Sequence, residues 1–306
     1  MTITKANTNL SAAKKAKNDE FYTKLSDIEK EIKYYRDQFK GKVVYCNCDD
    51  PEWSNFYVYF EMAFDFLGLK GLITTHYVSE ENQAYKLTMT KKGEAIKTPL
   101  KGNGDFRSEE CKEILKSVDF VVTNPPFSLF REYVAQLVES GKQFLIVGPM
   151  NAITYKEIFP LIRNNKVWLG INSVKEFIKP DGEIQKFGNI NWFTNMVHHK
   201  RNEELIIFRG YKEEMYPRYD NYDAINVDKV VNIPCDYEGA MGVPITFLDK
   251  FNPEQFEILN SNDYKTNEAI NNKEHGLVKD KDGSVNGKAK YVRILIKNKN
   301  PKPALI

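Results

Sequence analysis

Residues 118–140 read VDFVVTNPPFSLFREYVAQLVES, and this stretch decides the fold. Its first six residues form a short apolar, β-branched run that stops at Asn124-Pro125-Pro126, and SLFREYVAQLVES behind the prolines has the pattern of an amphipathic helix. An apolar run that leaves abruptly into a stiff loop reads as a parallel strand buried on both faces. The pattern recurs on either side. KVVYCNC (42–48) halts at Asp49-Asp50-Pro51 and gives way to a helix over about Ser54–Leu67, LKGLITTHYV (69–78) is a further strand, and KQFLIVGPM (142–150) is a fourth, followed by the helical segment YKEIFPLIRN (155–164). Strands alternating with helices at this spacing predict βαβ units and an α/β fold with a doubly wound, mostly parallel sheet.

Beyond Lys166 the pattern changes to KVWLGIN (166–172), NINWFTNM (189–196) and EELIIFR (203–209), strands joined without helices, so an antiparallel edge is expected to finish the sheet. Upstream, Leu25, Ile28, Ile32, Tyr35 and Phe39 recur every three or four residues in DEFYTKLSDIEKEIKYYRDQF (19–39), an amphipathic helix closed by Gly41. Residues 1–18 are polar and lysine-rich and read as a flexible arm. Residues 211–306, rich in Asn, Asp, Tyr and Pro with scattered strand signals such as YVRILIK (291–297), form a smaller C-terminal extension to a main domain at 19–210.

With 42 % hydrophobic residues, 306 positions suffice for one sizeable core and an appended lobe. No stretch approaches the roughly 20 apolar residues that span a bilayer, and MTITKANTNLSAAKK has no signal-peptide core, so a soluble cytoplasmic protein is expected, without membrane attachment. Cys46, Cys48, Cys111 and Cys235 match neither a disulfide framework nor a zinc knuckle, and His76, His198, His199 and His275 show no metal spacing; no metal is expected. The net charge of +2 conceals an asymmetry: Lys212–Asp263 holds eleven acidic against four basic residues, and Ile270 to the end holds nine basic against three acidic. GKAKYVRILIKNKNPKP (287–303) is suited to track phosphates through Lys288, Lys290 and Arg293, or is simply a solvated surface.

Ligands of open α/β sheets sit beyond the carboxyl ends of the strands. Three places there carry chemistry. In Asn124-Pro125-Pro126-Phe127 the prolines fix φ and lack donors, leaving the Asn124 side-chain oxygen and the Pro125 carbonyl as two acceptors for a primary amine on an aromatic ring, with Phe127 as a flat face to stack on. The other reading is a plain strand-ending turn. Asn47-Cys48-Asp49-Asp50-Pro51 offers carboxylates to the ammonium or ribose hydroxyls of a nucleoside cofactor, or holds solvated loop acids. Gly104-Asp105-Phe106 can meet a cofactor adenine, Asp105 accepting from its amine and Phe106 packing on the ring, or is a turn.

Together these residues resemble the class I S-adenosylmethionine-dependent, Rossmann-like methyltransferases that modify exocyclic amines in DNA, and within them the EcoRI-type adenine methyltransferases. The likeness covers most of the chain. Asn124-Pro125-Pro126-Phe127 resembles their catalytic motif, Gly104-Asp105-Phe106 their cofactor-adenine motif, and Asp19-Glu20-Phe21-Tyr22-Thr23 the segment that closes over the methionine end. VVYCNCDDP (43–51) and GVPITFLDKFNPEQFEI (242–258) are similar to the EcoRI-type branch itself. FGNINWFTN (187–195) resembles a loop that supplies a second stacking aromatic, which assigns Trp192 or Phe193 to the target base; core packing is the competing reading. Two departures stand out: CNCDDP replaces the usual FxGxG turn, and Thr74-Thr75-His76-Tyr77 ends the second strand where an acidic residue usually holds the ribose.

The resemblance implies S-adenosylmethionine as cofactor, held by Phe21, Tyr22, Thr23, Asn47, Asp49, Asp50, Gly104, Asp105 and Phe106, and methyl transfer to N6 of an adenine flipped out of double-stranded DNA. Residues 211–306 then become the DNA-recognition region. A monomer without stable protein partners is implied, with a restriction endonuclease as an optional functional partner. The alternatives are a methyltransferase for RNA or a protein glutamine, and a catalytically silent DNA-binding relative.

Overall fold

The apolar runs become the centre of a nine-stranded sheet in the computed structural model, which describes residues 22–78, 83–179, 182–220, 222–259, 277–278, 284–289 and 293–304. Phe21, Lys290 and the arm at 1–18 lie outside the described residues. One unit is drawn from residues up to 158 together with 166–198, and a second from 159–165 together with residues from 199 onward.

In the first unit, β2 (Val43–Cys46) lies at the centre, between β3 (Gly71–His76) and β6 (Phe120–Thr123), with β7 (Gln143–Pro149) beyond β6; all four are parallel. On the β7 side the sheet continues through β9 (Ile184–Thr194), β8 (Trp168–Ile178) and the two-residue β1 (Tyr22–Thr23), each antiparallel to its neighbour. This is the expected antiparallel edge. A second one follows β3, a hairpin of β4 (Tyr85–Lys91) and β5 (Glu94–Pro99) that the sequence reading left unassigned. The sheet is therefore mixed, parallel only at its centre.

Helices cover both faces. On one, α1 (Leu25–Ile32), α2 (Asn55–Met62) and α3 (Phe64–Leu67) bury Ile28, Ile32, Phe56, Phe60 and Phe64 with Val44, Cys46, Phe120 and Val122. On the other, α5 (Phe130–Glu139) buries Phe130, Tyr133, Val134 and Leu137, the i, i+3, i+4, i+7 stripe of an amphipathic helix. Ser54 caps α2 by accepting from Phe56 N–H at 3.0 Å, and Ser108 caps α4 (Glu109–Lys116) by accepting from Cys111 N–H at 3.2 Å.

Three expected elements differ. The helix expected over 19–39 covers only Leu25–Ile32, with a 3-10 turn at Arg36–Phe39, because Tyr22 and Thr23 are drawn into the sheet opposite Ile178 and Phe177. The one expected over 155–164 shortens to α6 (Phe159–Arg163), in the second unit. EELIIFR is no strand of a sheet: Leu205 spends its N–H and C=O on the Gln255 side chain, and only Arg209 makes an isolated bridge, to Pro234.

In the second unit, β10 (Ala224–Asn226), β11 (Ala240–Pro244), β12 (Phe256–Ile258) and β13 (Leu277–Val278) form a small sheet with β16 (Arg293–Asn298), the YVRILIK segment, which pairs with β11, β12 and β13. A separate hairpin joins β14 (Ser284–Val285) to β15 (Lys288–Ala289). Among the described residues no helix is long and apolar enough to cross a membrane.

Candidate active site

The chain runs from β2 outward to β3 and later returns to lay β6 against the opposite side of β2. Loops leaving the carboxyl ends of β2 and β6 therefore diverge, and a crevice opens at this switch point. A cleft of about 290 Å³ lies there. It is lined by Tyr22, Asn47, Asp49, Asp50, Gly104, Asp105, Phe106, Asn124 and Pro126 from among the expected site residues, and also by Cys48, Thr75, Tyr77, Arg107 and Leu129. Three loops far apart in sequence thus meet in one place.

The carboxylates of the β2 loop are used differently. Asp49 is buried and turns under the loop: Ser54 Oγ donates to its Oδ1 at 2.8 Å, while the Thr123 hydroxyl and, at 3.1 Å, the Asn124 N–H donate to its Oδ2. Burial pushes this carboxyl up to about 6 against the pull of those three hydrogen bonds. Asp50 is partly exposed and pairs at 2.7 Å with His76 Nδ1, whose ring stacks on Tyr85 at 4.6 Å. His76 ends β3, so the Asp50 carboxylate stands beside the strand end that itself lacks an acidic residue. The Asn47 side-chain oxygen accepts from the buried Tyr133 hydroxyl.

The loop before α4 forms the opposite wall. Gly104 adopts φ +81°, and a Cβ there would come within 2.5 Å of the His76 carbonyl oxygen, so only glycine lets this loop close onto β3. Asp105 accepts from Arg107 Nε at 2.9 Å and Nη2 at 2.6 Å, and these bonds hold its carboxyl below its ordinary value. Phe106 reaches the cleft wall but is buried, edge-on to Tyr133 at 4.9 Å. Asp50, paired with His76, and Asp105, paired with Arg107, both line the cleft, so its acceptors suit a ligand carrying hydroxyl or amino donors.

Other expected residues stand elsewhere. Phe127 opens a 3-10 turn, partly buried against Phe177 at 6.3 Å. Trp192 and Phe193 are fully buried on opposite faces of β9, Trp192 against Phe56 at 5.8 Å and Phe193 against Phe130 at 5.1 Å. Exposing such a tryptophan would forfeit about 4–6 kcal/mol, from ~25 cal/mol per Å² over roughly 150–250 Å², whereas stacking on a base returns about 1–3 kcal/mol. The base-stacking assignment of Trp192 and Phe193 is corrected to core packing. Thr23 is buried as well, and only its neighbour Tyr22 lines the cleft. Arg293, expected to contact phosphate, has an 11 % exposed side chain that lies 3.7 Å from Asp228, whereas Lys288 is exposed.

His76, Tyr77, Arg107, Ser54 and Thr123 went unassigned in the sequence. Arg107 carried a signal, directly behind Gly104-Asp105-Phe106; Ser54 and Thr123 carried none beyond their places at a helix start and a strand end.

The family model described as adenine-specific methyltransferase EcoRI matches residues 9–299. The type II methyltransferase M.EcoRI of Escherichia coli is 46 % identical to the chain, over 95 % of the chain and 96 % of its own length. The type II methyltransferases M.MgeORF184P of Mycoplasma genitalium and M.MpnI of Mycoplasma pneumoniae are each 42 % identical, covering 93 % and 94 % of the chain and 97 % of their own lengths. No solved structure matches it.

Proposed function

The chain belongs to the EcoRI family of adenine-specific methyltransferases, and from that premise we propose that it methylates N6 of an adenine flipped out of duplex DNA, with S-adenosylmethionine as donor. The observation that carries this reading is the meeting of the Asn124-Pro125-Pro126 turn with the acidic β2 loop in one cleft at the switch point of the sheet. S-adenosylmethionine suits that cleft through its donors: Asp50, partly exposed beside the end of β3, is an acceptor for the ammonium or the ribose hydroxyls, and the close approach allowed by Gly104 brings the Asp105 loop within reach of the adenine amine. When bound, the group supplies an electrophilic methyl.

The protein's own part is acceptor chemistry. An adenine amine is a weak nucleophile because its lone pair is delocalised into the ring. Two acceptors, the Asn124 side-chain oxygen and the Pro125 carbonyl, hold its hydrogens and favour the tetrahedral nitrogen, an interaction that strengthens as the reaction advances. The prolines give this turn a fixed φ and no competing donor. Phe127, outside the cleft lining and partly buried against Phe177, has only the exposed part of its ring for the flipped base, and stacking there offsets part of the few kcal/mol that unpairing costs. Residues 211–306 supply DNA recognition in this reading.

Isotopically labelled methyl transfer to duplex DNA, RNA and a protein extract, followed by base-resolved mapping of the product, tests it. Label in N6-methyladenine at a defined duplex sequence is the expected result. Label confined to RNA or protein, or DNA binding without any transfer, overturns it.

A further inference from the structure

We propose that Asp49 is a positioning residue that sets the catalytic turn, and not a ligand of the cofactor whose cleft it borders. The inference rests on the reading of Asn124-Pro125-Pro126 as that turn. Its basis is the direction of the carboxylate. Oδ1 takes the hydroxyl of Ser54, the N-cap of α2, and Oδ2 takes both the hydroxyl of Thr123, the last residue of β6, and the backbone N–H of Asn124. The Thr123 hydroxyl in turn accepts from Cys48 N–H at 3.1 Å, and Thr74 Oγ1 donates to the Asp49 carbonyl at 2.8 Å. One buried side chain therefore ties the β2 loop, the start of α2 and the end of β6 together immediately before the two prolines.

What this does for the reaction follows from the prolines. Pro125 and Pro126 fix their own φ and restrict the residue before them to extended conformations, so the remaining freedom of the turn lies in how the Asn124 peptide is seated on the end of β6. That N–H is what Asp49 holds. A carboxylate can accept from all three donors, whereas asparagine offers one acceptor oxygen and sets its own N–H₂ against a donor. The titratable neighbours of Asp49 are Asp50, on the same loop, Cys46 and Cys48, and Tyr133 from α5; burial holds the two thiols and the phenol well above their ordinary values, so they stay neutral around it. His76 stands behind Asp50.

The test uses the full-length Asp49→Asn protein, with duplex DNA and S-adenosylmethionine at saturation. We expect the single-turnover methylation rate to fall about 100-fold, the size of loss that a misplaced reacting group of about 1 Å brings. Cofactor affinity by calorimetry should stay within about threefold, as for an interaction that serves the transition state. Hydrogen exchange of a peptide spanning residues 120–129 should quicken. The wild-type rate should decline as pH falls through about 6, where Asp49 gains a proton and loses an acceptor, and that limb should persist in a His76→Gln background. Thr123→Val, which keeps the charge and the shape, should change the rate in the same direction by a smaller factor and keeps the proposal testable if Asp49→Asn does not fold. A tenfold or greater loss of cofactor affinity with the saturated rate intact would make Asp49 a cofactor ligand and overturn the proposal. A lowered melting temperature with the saturated rate intact would reduce it to a structural pin. Wild-type transfer to adenine is measured first, so failure of the functional reading is seen separately.

Discussion

Glu31 and Asp49 are two buried carboxylates in the same unit, built from the same chemistry for different ends. Glu31, on α1, accepts from Ile171 N–H, Asn172 N–H and Asn172 Nδ2, each at 2.8 Å, and from the Tyr35 hydroxyl at 2.9 Å. Its donors belong to the turn that follows its own helix and to β8, and a Cβ at Gly170 would come within 2.4 Å of it. Asp49 accepts three donors, one of which is the backbone of the turn proposed as catalytic. Burial raises both carboxyls, and hydrogen bonds oppose the rise in both. Neither burial nor the number of bonds separates a structural acid from a positioning one. What the donors are attached to does.

That distinction is sharpened most by Asn124→Ala, which removes the side chain whose backbone Asp49 holds. Methyl transfer under single-turnover conditions should fall by about 10²–10³, the loss typical of one preorganised polar group at a reacting centre, with the melting temperature and cofactor affinity near wild type. Turnover close to wild type would dissolve the assignment of the turn. The next largest effect belongs to the other acid. Glu31→Ala leaves several buried donors without an acceptor and should cost about 3 kcal/mol of stability in chemical denaturation. The saturated rate per folded molecule should be unchanged; a loss of rate without a loss of stability would erase the contrast with Asp49.

The sequence was most informative where structure is local. The Val118–Ser140 stretch announced a strand, a stiff turn and a helix because period and proline chemistry act within a few residues, and Asn124 stands at the carboxyl edge where that reading put it. The β4–β5 hairpin went unassigned although YKLTMTK (85–91) alternates apolar and polar residues as a half-buried strand does; only its partner at the edge, EAIKTP (94–99), is exposed throughout and reads as loop. Trp192 was ambiguous for a different reason: a strand covered on both faces buries every residue, and alternation then says nothing about which aromatic meets a ligand. The role proposed for Asp49 depends on Thr123, 74 positions away, and no local pattern encodes that pairing.

The smallest effect concerns cations of the second unit, where the contrast between buried and serviceable charge returns with the opposite sign. Arg293 is spent internally: its side chain is largely buried, Asp228 lies 3.7 Å from it, and Asn226 Nδ2 donates to the same Asp228 oxygen at 2.8 Å. Lys288 is exposed and stands next to a tight hairpin turn, Asn286-Gly287, in which both residues adopt positive φ and donate their N–H groups to Asp220 at 3.0 and 2.8 Å. A hairpin held in this way presents its lysine with little ordering cost. If residues 211–306 recognise DNA, Lys288→Ala should lower the slope of log affinity against log salt by about 0.9, the release expected for one phosphate contact, and leave the melting temperature alone. Arg293→Ala should do the reverse, lowering stability by about 1–2 kcal/mol through the lost packing of its largely buried side chain while the salt slope holds. Binding isotherms at four salt concentrations, with melting curves for both variants, distinguish the two charges; a reduced slope for Arg293→Ala alone would show that this arginine leaves Asp228 when DNA binds.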